Sequence, residues 1–152
     1  MQTSTRGGVK LKLQSMCENI GKWGCLAIDY AYVALALSND ISKMEQIEID
    51  VALFQLLELA DVNNYLDKEC YVKDGESLMN YFTGKKCKVT KQNITSFKDL
   101  PLDKYSAVRF DYNGKSHFVV AKGQIVVYDS LDDSQCRKYG KPTTARIVEI
   151  IE

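Results

Sequence analysis

The sequence predicts an α+β protein, with helices in its first half and an antiparallel sheet in its second. Three observations carry this. Between residues 25 and 84 apolar side chains recur at helical spacing. From residue 87 onward short runs alternate apolar with polar side chains. Between two such runs stands Asn113-Gly114, a strong signal for a two-residue type I′ hairpin turn. A chain of 152 residues fits a single domain with a real core, so one domain is expected over residues 1–152.

Residues 1–8, small, polar and glycine-containing, read as a frayed end, and Val9–Leu13 as a short edge strand. The run "IGKWGCLAIDYAYVALAL" spans Ile20 to Leu37, with Lys22 its only cation and Asp29 its only anion. Its helix is expected to start near Cys25 and to stop at Ser38-Asn39-Asp40. Being apolar nearly all round, it belongs in the middle of the domain. Val51, Leu53, Phe54, Leu57 and Ala60 mark a second helix over Glu48 to Asp61. In a third, Asp74 is the N-cap, Leu78, Met79 and Phe82 the buried stripe, and Gly84 the stop.

Cys87 to Thr90 is a short strand candidate. "YSAVRFDY" leads to the Asn113-Gly114 turn, "SHFVVAK" returns from it, Gly123 marks another tight turn, and "IVVYD" follows. "TTARIVEII" closes a meander. Lys91–Pro101 and Asp132–Lys141 read as loops.

Lys plus Arg equals Asp plus Glu, 20 each, so no electrostatic footprint for nucleic acid is present. No apolar run reaches the roughly 18 residues of a membrane span. The N-terminal residues lack an apolar signal-peptide core, so a cytoplasmic protein with no membrane partner is expected. Five cysteines, at 17, 25, 70, 87 and 136, are an odd number with no Cys-x-x-Cys pair. Reduced thiols rather than a disulfide framework follow. Close-spaced ligand pairs are missing, so neither a metal nor another cofactor is expected.

The chemistry rests on one thiol and one imidazole. At a helix start, unpaired backbone amides and the helix dipole favour a thiolate at Cys25. His117, the only histidine, stands early in a strand just after the hairpin turn. Twelve residues later Asp129 ends the next strand, and a turn near Lys122-Gly123 brings the two neighbourhoods together across the sheet. There a carboxylate can orient the imidazole, and the imidazole can take the thiol proton.

In order and kind, Trp23-Gly24-Cys25, His117-Phe118-Val119-Val120 and Val127-Tyr128-Asp129-Ser130 resemble the motifs of papain-like cysteine peptidases. The closest branch is the bacteriocin-leader-processing (double-glycine) peptidases and their uncharacterised prokaryotic relatives. The stretch "YLDKECYVKDGESLMNYF" is similar to that branch's middle segment, and the resemblance spans most of residues 15–135. It implies a papain-like fold, with a central buried helix starting at the cysteine and packed on a C-terminal antiparallel sheet. It implies a thiol hydrolase that cleaves a peptide or amide bond in a peptide or protein substrate. Cys25 matches the nucleophile, His117 the base and Asp129 the residue that orients the base. The family's oxyanion glutamine, about six residues before the cysteine, has no match: Asn19 stands there, and the nearest upstream glutamine is Gln14. Bulky Leu26 also follows the cysteine where the family has small residues.

Taken singly, Cys25 reads as a packed core cysteine, His117 as a surface strand residue and Asp129 as a turn former. Their joint order favours a triad over these readings. Cys17, Cys70, Cys87 and Cys136 read as structural or incidental. Asp29, one turn past Cys25 on the same helix face, either raises the thiol pKa, suits the helix dipole or bonds a core tyrosine. The departure at Asn19 leaves a second function open, an inactive papain-like fold that binds a peptide or protein. A peptidoglycan amidase of the same superfamily fits less well, since Gly-Cys-Leu replaces its Asp-Cys-Ser.

Overall fold

A computed structural model describes residues 25–67, 71–130 and 135–151, with only the backbone at Cys25. The protein is α+β. Its helices are α1 (Cys25–Ser38), α2 (Gln46–Val62), α3 (Gly75–Thr83) and α4 (Gln135–Tyr139). Its strands are β1 (Cys87–Asn93), β2 (Tyr105–Tyr112), β3 (Lys115–Lys122), β4 (Ile125–Tyr128) and β5 (Lys141–Ile150). The strands form one antiparallel sheet in the order β1-β5-β2-β3-β4. The expected edge strand Val9–Leu13 lies outside the described residues.

The helix limits follow local chemistry. The Asp74 carboxylate accepts from the amides of Glu76 and Ser77, opening α3. Gly84 ends α3 in the left-handed conformation at φ 67°. At the start of α2, Glu48 Oε1 accepts from the Glu45 amide at 2.9 Å. α1 is the innermost helix: Ala27, Tyr30, Ala31, Tyr32, Val33, Ala34 and Leu35 are all buried. Each large apolar side chain so buried contributes about 1.5–3 kcal/mol. In α2 the buried stripe is Ile49, Leu53, Leu57 and Ala60, and Val51 stands half exposed. Val51 satisfies the helical period but projects away from α1, because one helix face alone meets the core.

The sheet departs from the expected meander in one respect. β2, β3 and β4 follow one another as hairpins, and the Asn113-Gly114 turn has both φ values positive, as type I′ requires. The last strand does not continue that series. β5 enters between β1 and β2, pairing with both. It buries Ala145 and Ile147 toward one side and Val148 toward the other, the pattern of a central strand. β1 also runs on to Asn93, past the expected end at Thr90. Two cores result. One lies between the helices and the sheet face carrying Val120 and Val148. The other covers the opposite face, where Val108, Phe110, Val119 and Ala145 meet Ile94, Leu100 and Cys136.

Candidate functional site

The site is built at the β4 margin of the sheet. A bulge at Val127 lets Val120 pair with Tyr128 and Ala121 with Val126, and β4 pairs with β3 only from Val120 to Lys122. Asp129 follows the last paired residue and turns back toward the start of β3. There His117 Nε2 and Asp129 Oδ1 are 2.6 Å apart. The histidine side chain is 4% exposed and the aspartate 10%. Burial of both groups strengthens the pair and excludes competing water. His117 is thus no surface residue, although a solvent-facing turn precedes it. A neutral imidazole donates its Nε2 proton to the carboxylate, which leaves Nδ1 as a proton acceptor.

A third group completes the pair. Arg137 Nη1 donates to Asp129 Oδ2 at 3.2 Å. Within the stretch 132–141, expected to be a loop, Gln135–Tyr139 form α4 and carry this arginine; a five-residue helix is too short to show periodicity in the sequence. α4 is seated by Gly140: a Cβ there would collide with the carbonyl oxygens of Cys136 and Asp111. Tyr139 meets the Tyr112 ring, and Cys136 is buried against the sheet.

α1 approaches the site along one stripe. Tyr32 stacks on Tyr128, with ring centroids 4.5 Å apart. One turn earlier, Asp29 is fully buried, and among the described residues neither of its oxygens has a hydrogen-bond partner. Burial pushes its carboxyl well above the usual carboxylate range, and the Asp129 charge adds to the shift. Asp29 bonds no tyrosine, contrary to one of the expectations for it. Burial likewise pushes the Tyr128 hydroxyl up to about 12, with the Asp29 charge the next contribution. Cys25 holds the next position of the stripe, as the first residue of α1. Its side chain lies outside the described atoms, and Asn19, Gln14, Cys17 and Cys70 lie outside the described residues.

By register His117 lies beside Phe110, on the sheet face opposite the one that carries Val120 and packs on α1. The layer between α1 and the sheet therefore lies across the sheet from this imidazole. Cys87 and Cys136 are free and buried, and Cys87 Sγ sits 3.4 Å from Thr83 Oγ1. Among the described residues no group of three His, Cys, Asp or Glu side chains is arranged to hold a metal ion. Among them, too, no helix is long and apolar enough to cross a membrane.

Fold and site define an α+β protein with a buried imidazole–carboxylate pair at the margin of an antiparallel sheet. The profile described as "Protein of unknown function, DUF261" matches residues 9–150, and the chain belongs to that family. No curated protein and no solved structure matches the chain.

Proposed function

We propose that this protein is a papain-like thiol hydrolase that cleaves a peptide or amide bond with Cys25 as nucleophile, His117 as base and Asp129 as its orienting acid. The observation that carries the reading is the 2.6 Å His117–Asp129 pair, which directly follows Tyr128, the strand residue on which Tyr32 of α1 stacks. His117 Nδ1 accepts the thiol proton, the thiolate attacks the carbonyl carbon, and the imidazolium returns the proton to the leaving amine. Water then releases the acyl group. The backbone amide of Cys25 supplies one oxyanion donor at the helix start, and Asn19 or Gln14 a second. Burial and the Asp129 charge disfavour ionisation of Asp29, which weakens its opposition to a thiolate one turn earlier on α1.

Selective alkylation tests this without a known substrate. Iodoacetamide at pH 6, followed by peptide mass spectrometry, ranks all five cysteines in one sample. Cys25 is expected to label first, and His117→Ala to slow it toward the rate of an ordinary thiol. A Cys25 rate equal to that of Cys70 would remove the activated nucleophile and favour a peptide-binding module instead.

A further inference from the structure

We infer that Arg137 is a positioning residue of this site, which holds the Asp129 carboxylate so that its other oxygen faces His117. The inference rests on the Cys-His-Asp reading for its function, though its geometry stands without it. Asp129 is the hinge of the argument. It lies one residue beyond Tyr128, where the β3–β4 pairing ends. A carboxylate in that position can rotate about its own axis and exchange its two oxygens. Here each oxygen has its own cation-capable partner: Oδ1 faces His117 Nε2 at 2.6 Å, and Oδ2 accepts from Arg137 Nη1 at 3.2 Å. Arg137 comes from a separate element, α4, whose seat on β2 depends on Gly140 and on the Tyr112–Tyr139 contact. The arginine therefore ties the acid to the sheet by a second route.

The expected consequence is mechanical as well as electrostatic. With Oδ2 occupied, Oδ1 stays in line with Nε2, the imidazole keeps one orientation, and Nδ1 stays directed away from the carboxylate. Without Arg137 the acid samples other rotamers, and the Nε2 proton spends part of its time unbonded. Arg137 meets Asp129 at Oδ2, and through that carboxylate it acts on the imidazole.

His117 is the only histidine, so one ring N–H signal in an ¹⁵N-edited proton spectrum reports this bond in the intact chain, with no substrate needed. In the parent protein the Nε2 proton exchanges slowly with water, being buried and bonded. Arg137→Ala is expected to speed its exchange about tenfold, and Arg137→Lys, which keeps one charged donor, to restore it to within about threefold of the parent. Unchanged exchange in Arg137→Ala overturns the inference. So does a failure of Arg137→Lys to restore it, since that would assign the loss to packing rather than to the ion pair. A Cys25 alkylation rate that ignores His117→Ala would sink the hydrolase reading alone, and leave this bond measurement intact.

Discussion

Two acids, fully buried Asp29 on the helical side and partly buried Asp129 at the sheet margin, stand close enough to feel each other, yet their surroundings are opposite. Both oxygens of Asp129 have partners, one on an imidazole and one on a guanidinium. Among the described residues, neither oxygen of Asp29 has one. A carboxylate taken out of water keeps its charge only where donors replace the lost hydration. Asp129 is supplied by β3 and α4, whereas Asp29 is fully buried on α1 with no such donor among the described residues. So one carboxylate is held by donors and can orient a base, while burial opposes ionisation of the other. The difference lies in tertiary partners, since the residue type is the same.

The sharpest break in this comparison is Asp129→Asn. The amide can turn its NH₂ toward Nε2, which favours the wrong tautomer and leaves the imidazole poorly placed as a base. Any hydrolysis is expected to fall by about 10²–10⁴ with the fold retained, read from turnover alongside circular dichroism. Full activity in this variant would hand the orienting role to another group.

Gly140→Ala attacks the same region through its scaffold. A methyl group against the Cys136 and Asp111 carbonyls forces α4 off its seat. A stability loss of about 1–3 kcal/mol in urea unfolding is expected, together with faster exchange of the His117 ring proton. A stable variant with an unaltered ring signal would show that α4 tolerates the displacement.

Asp29→Asn probes the other side, and its sign is fixed by linkage. The folded-state pKa of Asp29 lies above its ordinary value of 3.8, so between the two the folded state binds the extra proton. Stability is therefore intact below about pH 4 and falls as pH rises through that window, by at most about 1.4 kcal/mol per pH unit. The asparagine does not titrate. The variant is expected to lose that slope, measured by denaturant unfolding at several pH values. Parallel pH profiles for parent and variant would mean that Asp29 is not the group releasing the proton.

Much of the fold was legible in the residues. The α1 run, the Asp74 cap with its Gly84 stop, and the positive-φ Asn113-Gly114 turn are local signals, each set by neighbours within a few positions. The pairing of His117 with Asp129 was legible too, because a hairpin with a tight turn fixes which residues of two strands come together. What the residues left open is non-local. An alternating run such as residues 141–150 looks the same at a sheet edge as in its middle, and only the packing on both faces makes β5 central. The exposure of Val51 depended on which helix face met α1. Arg137 carried no motif, and its role exists only because Gly140 lets a five-residue helix sit on β2. Nor did any pattern distinguish Asp29 from Asp129. Hydrogen-bond partners for a buried acid come from elements distant in the chain, and their presence or absence decides whether that acid is an ion or holds its proton.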